Sequence, residues 1–174
     1  MKFLCGLLFS FVAADDHEII QLSAHPEFLL ELNGNSGFPN SVDLYRPSSS
    51  PNENQKLHMS ASYSAYQISP YNRQNLCLCA PSFSNGQLLQ FNSCGSCPSG
   101  NGGEHWNIGG LGVPGTITPS SAPRMCVDVK DGNINNAATI QLWECFGGNQ
   151  NQQWTRVSSQ AEGSKTETES RLVV

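Results

Sequence analysis

The chain has 174 residues, a length that suits one domain with a hydrophobic core but hardly two. Only 13% of its residues are Asp, Glu, Lys or Arg, while Gly, Pro, Ser and Asn are abundant, which predicts short strands and turns rather than a helical bundle. The formal net charge of -5 gives no electrostatic reason for binding nucleic acid or an anionic membrane, so we expect a neutral ligand.

The N-terminal segment, residues 1–14, is typical of a signal peptide. Lys2 provides the positive start, residues 3–12 form an almost unbroken apolar run, and small residues precede the expected cleavage point. The run is shorter than the roughly 20 residues that span a bilayer, so no transmembrane segment is predicted. A buried N-terminal strand is the alternative, and the charged residues at 15–18 argue against it. The sequence therefore predicts a secreted, extracellular protein.

Three segments of about 45–50 residues align with one another as an internal repeat. The repeats cover residues 18–60, 66–110 and 116–157. Equivalent positions keep a nearly constant spacing, and they are Leu29, Cys77 and Cys126 in one set and Leu57, Trp106 and Trp154 in another. Chance could supply one such set, but two in the same register indicate true repetition. The sequence therefore predicts one domain over residues 15–157.

Short strands are the predicted elements of each repeat. Apolar residues alternate with polar ones over Phe28–Leu32, Val127–Val129 and Ile140–Leu142, as they do in half-buried strands. Asn-Gly, Asp-Gly and Gly-Gly pairs between the runs are turn signals, and no later stretch has a 3.6-residue period. We therefore expect an all-β fold whose three units close around an axis, which removes exposed strand edges. A third strand of each repeat, ending at Leu57 or the equivalent tryptophan, would fill the centre.

Two stretches look like connectors, and the C-terminus looks like a tail. Residues 60–70 are polar and aromatic, and their pattern predicts no particular element. Residues 109–123 are rich in Gly, Pro, Ser and Thr, which indicates a linker into the third repeat. Residues 158–174 are polar and charged with no apolar face to bury, so we predict a disordered tail there.

Six cysteines remain once the signal peptide and its Cys5 are removed, and an even number in an exported chain predicts disulfides. A metal site is the alternative, because the Cys-x-Cys and Cys-x-x-Cys spacings of the second repeat are typical of metal ligands. Pairing within repeats follows from the internal alignment, and the expected bridges are Cys77–Cys94, Cys126–Cys145 and, from the two cysteines left over, Cys79–Cys97. In the chain-entropy view each bridge adds about 3 kcal/mol to stability.

The third repeat resembles the ricin B-chain lectin family. The matching runs are Cys126-Val127-Asp128-Val129, Ile140-Gln141-Leu142-Trp143-Glu144-Cys145 and Asn151-Gln152-Gln153-Trp154, the last of which holds the family's Gln-x-Trp signature. The match is close within this repeat and looser, but in register, from about Glu18 to Val157. The family's fold is the β-trefoil, which agrees with the closed three-fold arrangement expected from the repeats.

The resemblance implies a shallow pocket in the third repeat that binds galactose-like sugars. Asp128 matches the carboxylate that accepts hydrogen bonds from sugar hydroxyls, and Trp143 matches the aromatic that stacks on the sugar. Gln141 matches a polar position that lines or braces the pocket, Asn151 an amide that contacts a hydroxyl, and Gln152 the group that braces the aspartate. These types suit a pyranose, because an indole covers its C–H face while carboxylate and amide groups bond its hydroxyls.

Structural alternatives remain open for two of these residues. Trp143 could be a core residue, and Asp128 could simply cap the turn at residues 131–132. The inward alternation of Ile140 and Leu142 argues against the first alternative. The joint presence of all five residues argues against both.

The other two repeats depart from the pattern. The second has Cys79 in place of the aspartate, Asn92 in place of the aromatic and Glu104 in place of the signature glutamine, so we expect no functional site there. The first keeps a partial set, and its candidate second site consists of Glu31, Tyr45, Asn54 and Gln55. Asp43 stands there in place of a glutamine, so binding by the first repeat stays open.

An enzyme and a protein-binding module are the competing classes. No Gly-x-Ser-x-Gly or His-Glu-x-x-His motif is present, and the repeats leave no room in this chain for a catalytic domain. A protein-binding trefoil, such as a protease inhibitor or effector, could use the loops at 95–103 or 109–123, but it would not need Asp128, Trp143 and Asn151. We therefore predict a secreted, non-catalytic lectin without metal or cofactor. It should bind galactose or N-acetylgalactosamine on glycans or glycoproteins, mainly through the third repeat.

Overall fold

The computed structural model describes residues 17–33, 40–62 and 64–158. The strands of this part of the chain are, in order, β1 (Glu18–Leu22), β2 (His25–Asn33), β3 (Ser41–Tyr45), β4 (Leu57–Ser62), β5 (Ala65–Pro70), β6 (Leu76–Cys79), β7 (Gln87–Leu88), β8 (Gln90–Ser93), β9 (Trp106–Asn107), β10 (Thr118–Pro119), β11 (Met125–Val129), β12 (Ala138–Glu144) and β13 (Trp154–Ser158). Short 3-10 helices occur at Asn101–Gly103, Lys130–Gly132 and Gln150–Gln152. No helix among the described residues is long and apolar enough to cross a membrane. The predicted signal peptide, and the predicted tail beyond Ser158, lie outside the described residues.

The three repeats build a β-trefoil from a common plan of four strands. The first repeat supplies β1–β4, the second β5–β9 and the third β10–β13. In the second repeat the third strand of the plan is divided into β7 and β8 at Leu89, which is buried. The expected all-β, three-repeat fold is therefore confirmed.

The first and last strands of the repeats lie in a closed antiparallel ring. β1 pairs with β4, β4 with β5, β5 with β9, and β9 with β10. β13 closes the ring, because it pairs with β1 on one side while Trp154 bridges Gly115, just before β10, on the other. The hairpins β2–β3, β6–β8 and β11–β12 pair with one another through β3, β7, β8 and β12. This closure satisfies most backbone groups that an open sheet would expose at its edges.

Two tryptophans at equivalent positions anchor the hydrophobic core. Trp106 and Trp154 are almost fully buried, and a buried indole N–H needs an acceptor. Each donates over 2.9 Å to a carbonyl in its own repeat, that of Leu78 or that of Val127. Leu57 takes the same place in the first repeat, is equally buried, and has no side-chain donor to satisfy. These residues begin β4, β9 and β13 rather than end a strand, which corrects the expectation from the sequence.

Both stretches that looked like connectors belong to the barrel. Within residues 60–70, residues 60–62 end β4 and Ala65–Pro70 form β5, so most of this stretch belongs to paired strands. Residues 109–123, expected to be a linker, contain β10 and the Gly115 bridge, and Ile117 within them is fully buried. The sequence did not predict these strands because they carry few apolar residues. Strands of this kind still form, since pairing satisfies their backbone groups whatever side chains they carry.

Three disulfides join the six cysteines of the described residues. The bonds are Cys77–Cys94, Cys79–Cys97 and Cys126–Cys145, with Cα–Cα distances of 4.9, 5.7 and 5.1 Å. The repeat alignment predicted the first and third of these pairs, and the second was expected from the two cysteines left over. Because every one of these cysteines is bonded to another, none remains as a thiolate ligand for the alternative metal site.

Candidate functional site

The hairpin of β11 and β12 places two polar side chains directly opposite each other. Asp128 pairs in register with Gln141, and both are almost fully buried. Because successive side chains of a strand point to opposite faces, Val127 and Val129 enter the core while Asp128 and Gln141 share the other face. The Gln141 amide donates to Asp128 Oδ1 over 3.0 Å. The buried aspartate is thus held by its cross-strand neighbour.

Gln152 holds the same aspartate from the third 3-10 helix. Its Nε2 donates to Asp128 Oδ2 over 3.1 Å and to the Glu144 carbonyl over 3.0 Å. Its Oε1 accepts the backbone N–H of Phe146 over 2.9 Å, and the side chain is fully buried. Gln152 therefore links Asp128 to the end of β12 from below the surface.

Asp128 is fixed in position but keeps unused capacity to accept hydrogen bonds. One hydrogen bond to each oxygen occupies about half of the sites at which a carboxylate can accept. Burial raises the pKa of Asp128, the two glutamine amides lower it, and the charge of Asp131 raises it further. The site therefore offers a partly desolvated carboxylate whose orientation does not depend on a ligand.

Trp143 and Phe146 provide aromatic surface beside this carboxylate. Ile140 and Leu142 of β12 are fully buried, whereas Trp143 is 38% exposed. This exposure contradicts the alternative in which Trp143 is a core residue. Phe146 follows the hairpin, is 53% exposed and lines the same pocket. The two rings offer flat apolar walls to a ligand.

These side chains open into one surface pocket. It is lined by Asp128, Val129, Asp131, Gly132, Gln141, Trp143, Phe146, Asn149 and Asn151. Four of the five residues predicted for the site meet there, while Gln152 lies beneath Asp128. The lining includes two carboxylates and no Lys, Arg or His, so the ionisable groups that line the pocket are all acidic.

The turns add pocket residues that the sequence did not identify. Asp131 and Gly132, just after β11, both have left-handed backbones, with φ of 57° and 63°. A Cβ on Gly132 would lie 3.0 Å from the amide nitrogen of Asn151, so the glycine lets that side chain approach. Asn149 Oδ1 accepts the backbone N–H of Asn151 over 3.1 Å, which fixes the start of its turn.

The sequence signals for these added residues were weak. An Asp-Gly pair signals a turn, but the pattern does not indicate that the turn faces a ligand. For Phe146 the signal was an aromatic residue just outside the alternating pattern.

A loop of the second repeat supports the outer edge of the same hairpin. Asn85 Oδ1 accepts the backbone N–H of Glu144 over 2.7 Å. Gly86, with φ of 83°, lies beside Trp143, and a Cβ there would be in van der Waals contact with the indole ring at 3.9 Å. β7 also pairs with β12. The position of Trp143 therefore depends on two repeats, which the third repeat alone does not reveal.

The first repeat brings its candidate residues together around a pair of acids. Glu31 lies opposite Asp43 in the β2–β3 hairpin, and both are buried. Burial raises the pKa of Glu31, hydrogen bonds from Asn52 and Gln55 lower it, and the charge of Asp43 raises it. Gln55, fully buried, accepts the Asn52 backbone N–H over 3.1 Å and donates to the Tyr45 carbonyl over 3.3 Å. The buried glutamine thus recurs here, while its surroundings differ.

Two polar groups of the first repeat are already engaged. Asn52 Nδ2 donates to Glu31 Oε2 over 3.3 Å. Asn54, a candidate sugar contact, accepts a hydrogen bond at its Oδ1 from Arg73 of the second repeat over 3.1 Å. Tyr45 is half-buried, unlike the exposed Trp143 at the matching position. A ligand would therefore find fewer available contacts here than in the third repeat.

The second repeat fills the equivalent place with a disulfide. Cys79, in the position of the aspartate, is bonded to Cys97, and both are buried. Glu104, in the position of the glutamine, accepts the backbone N–H groups of Gly95 and Cys97, each over 2.7 Å. Its carboxylate braces a loop instead of a ligand-binding acid. This replacement gives a physical reason for the prediction that the second repeat holds no sugar site.

Comparisons with known proteins agree with this architecture. A family profile described as the ricin-type beta-trefoil lectin domain matches residues 18–154. The comparison with curated protein sequences gave no significant match. Among solved structures, the C-half of an earthworm R-type lectin in complex with GalNAc is similar at a TM-score of 0.62 and 16% identity, covering 83% of this chain and 99% of that chain.

Two further structures show the same fold in different proteins. A Macrolepiota procera ricin B-like lectin in complex with lactose gives a TM-score of 0.65 at 16% identity, covering 84% of this chain and 97% of that chain. An endo-β-galactosidase from Clostridium perfringens that releases GlcNAcα1-4Gal gives 0.63 at 10% identity, covering 82% of this chain but 32% of that enzyme. This chain thus spans about a third of the enzyme's length. At such identities the likeness demonstrates a shared fold.

Proposed function

The chain belongs to the family of ricin-type β-trefoil lectin domains, and we propose that it is a lectin that binds galactose or N-acetylgalactosamine mainly through its third repeat. Family membership supports the carbohydrate-binding role. One observation carries the choice of repeat: a buried carboxylate, held by two glutamines, lies in the same pocket as an exposed indole. Neither other repeat has both features.

The polar side of the pocket suits neighbouring hydroxyls of a hexopyranose. Asp128 accepts hydrogen bonds from two hydroxyls at its unused sites, and its charge makes these bonds stronger than neutral ones. The Asn151 amide donates to one hydroxyl oxygen or accepts from another. Because Gln141 and Gln152 already hold the carboxylate, binding does not have to order it, which reduces the entropic cost.

The aromatic side of the pocket supports a galactose-type ligand. Trp143 stacks against the C–H face of the ring, and Phe146 provides a second apolar wall that suits the methyl group of an N-acetyl substituent. Two proteins of the same fold are described in complex with GalNAc and lactose, which is consistent with this sugar class.

We also propose that the protein is secreted and non-catalytic and acts on glycans or glycoproteins by binding alone. Three disulfides fit an oxidising, extracellular compartment, and the first 14 residues have the pattern of a signal peptide. The likeness to a glycosidase involves 32% of that enzyme and gives no reason to assign its activity to this chain. A secreted protein-binding trefoil is the competing class.

A glycan array probed with the mature protein tests the proposal, with Trp143→Ala alongside. A single shallow site binds at about millimolar Kd, near -4 kcal/mol, so the protein should be displayed multivalently. We expect terminal galactosides to bind, and Trp143→Ala to lower the signal by about tenfold or more because the stacking platform is lost. Leu111→Ala is the matched control, since Leu111 is 52% exposed and lies outside the pocket lining.

Two results would overturn this assignment. An array without any bound glycan would favour the protein-binding class. Equal binding by the wild type and Trp143→Ala, with both proteins shown to be folded by circular dichroism, would move the site away from the third repeat.

A further inference from the structure

We propose that Asp131 is a specificity-determining residue that excludes anionic saccharides, those with a carboxylate or a sulfate, from the pocket of the third repeat. The inference rests on the proposed sugar binding and adds the charge class of the ligand. Asp131 belongs to the turn after β11, and its side chain lines the pocket although the sequence pattern indicates only a turn there.

The position of Asp131 brings its charge to the ligand. Asp131 lines the pocket together with Gly132, where a Cβ would lie 3.0 Å from the side-chain amide nitrogen of Asn151. The charge of Asp131 also contributes to raising the pKa of Asp128, so it is felt at the base of the pocket. Asp128 is committed to accepting hydrogen bonds, whereas Asp131 is exposed at the mouth.

No lining group compensates these two negative charges. Lys, Arg and His are absent from the pocket lining, and the nearby Lys130 is exposed and does not belong to it. The faces of Trp143 and Phe146 carry the negative part of the aromatic quadrupole and therefore also disfavour an anion. Two like charges about 4 Å apart in water weaken binding by about fivefold, and more where the site excludes solvent. A neutral sugar meets no such penalty.

Asp131→Asn removes the charge with little other change. The two side chains have the same shape, and asparagine is among the few residues that tolerate the left-handed backbone found here, with φ of 57°. The turn should therefore keep its form, and Gly132 should keep its contact with Asn151.

The experiment compares galactose with galacturonate, which share a ring and differ in the charge at C6. Competition binding at low ionic strength gives the ratio of the two affinities for each protein. We expect the wild type to favour galactose by about fivefold or more, Asp131→Asn to bring the ratio closer to one, and added salt to reduce the wild-type preference. Glu53→Gln is the matched control, because it removes one exposed negative charge outside the pocket and should leave the ratio unchanged.

The outcomes separate this inference from the proposed function. Galactose binding with equal affinity for galacturonate, or with a ratio that Asp131→Asn leaves unchanged, overturns the inference and leaves the lectin assignment intact. Loss of galactose binding in Asp131→Asn overturns it too, because Asp131 would then contact the sugar directly. If the wild type binds neither sugar and no other glycan, both proposals fail together.

Discussion

The first and third repeats share a buried glutamine that fixes the end of a hairpin, but they differ in the side chain that faces the nearby acid. In each, a fully buried glutamine, Gln55 or Gln152, accepts a backbone N–H and donates to a carbonyl at the end of a hairpin. In the third repeat a second glutamine donates to Asp128 from the opposite strand. In the first repeat the matching position is Asp43, so Glu31 faces another acid.

This difference shows that the trefoil scaffold and its ligand groups respond to separate requirements. A buried glutamine at this position satisfies backbone groups that every repeat must satisfy, whether or not it binds a sugar. Glu104 takes this place in the second repeat and accepts two backbone N–H groups, with no ligand-binding acid above it. A buried polar side chain at the glutamine position therefore serves the fold in every repeat, whereas the cross-strand partner of the acid distinguishes the repeat that holds the candidate sugar site.

Asp128→Asn should cause the largest loss of galactose affinity and should show how far the third repeat differs from the first. The new amide nitrogen would face donors from Gln141 or Gln152, and the charge-assisted bonds to the sugar would be lost. We expect galactose affinity to fall by about 100-fold and stability by about 1–3 kcal/mol. Glu31→Gln is the counterpart in the first repeat and should change affinity by less than about twofold. Competition binding and urea denaturation check both, and equal losses in the two variants would mean that the repeats contribute equally.

Acidification should cause the second largest loss of galactose affinity, and this loss should occur at a pH at which the protein is still folded. Sugar binding needs ionised Asp128, whose pKa is raised by burial, so affinity should fall about tenfold per pH unit once the pH drops below that raised value. The effect on stability has the opposite sign. Because the pKa of Asp128 is raised in the folded state, the folded protein binds this proton more tightly than the unfolded chain does. Protonation of Asp128 therefore stabilises the fold fully at low pH, and that stabilisation is lost as the pH rises through the folded-state pKa.

Isothermal titration with galactose across the acid range tests this pH dependence, with circular dichroism at each pH as the folding control. Asp131→Asn should move the binding midpoint to lower pH, because the charge of Asp131 helps to raise the pKa of Asp128. A wild-type midpoint at or below the ordinary aspartate pKa would contradict the raised pKa of Asp128, and an affinity that stays constant through the acid range would show that Asp128 does not accept the sugar's hydrogen bonds.

Arg73→Ala should have the smallest effect on galactose affinity, and it tests whether the first repeat can bind the sugar. It releases Asn54, whose Oδ1 now accepts from Arg73. In a Trp143→Ala background we expect galactose affinity to rise by about twofold, the scale of one exposed hydrogen bond. Saturation-transfer NMR measures such weak binding. A larger gain would identify the first repeat as a site blocked by its neighbour, and Arg73→Lys should preserve part of the block.

Much of the candidate site could be predicted because it is local. Asp128 and Gln141 face each other across one hairpin, and a strand's two-residue period fixes which side chains share a face. Alternation likewise predicted that Trp143 would point away from Ile140 and Leu142, and it is exposed. Cys77–Cys94 and Cys126–Cys145 follow from the repeat alignment, since equivalent cysteines mark equivalent strand ends, whereas Cys79–Cys97 was expected only because these two cysteines were left over.

The rest of the site lies in turns, where no period applies. Asp131 and Asn149 reach the pocket through left-handed or extended turn residues, and Phe146 through the chain just after a hairpin. The direction of each depends on a few backbone angles rather than on a pattern of side chains. The same limit applied to residues 109–123, whose turn-rich composition indicated a linker although β10 lies within them.

The sequence by itself determined the three repeats, the all-β class, the family and the acid–glutamine–tryptophan set of the third repeat. These follow from spacing and alternation, which depend on a strand's geometry and not on its neighbours. Only the tertiary structure decided which groups surround that set. From another repeat, Asn85 comes to the backbone N–H of Glu144, Gly86 to Trp143, and Arg73 to Asn54. Ring closure makes these contacts, and no local pattern encodes a contact between residues that are distant along the chain.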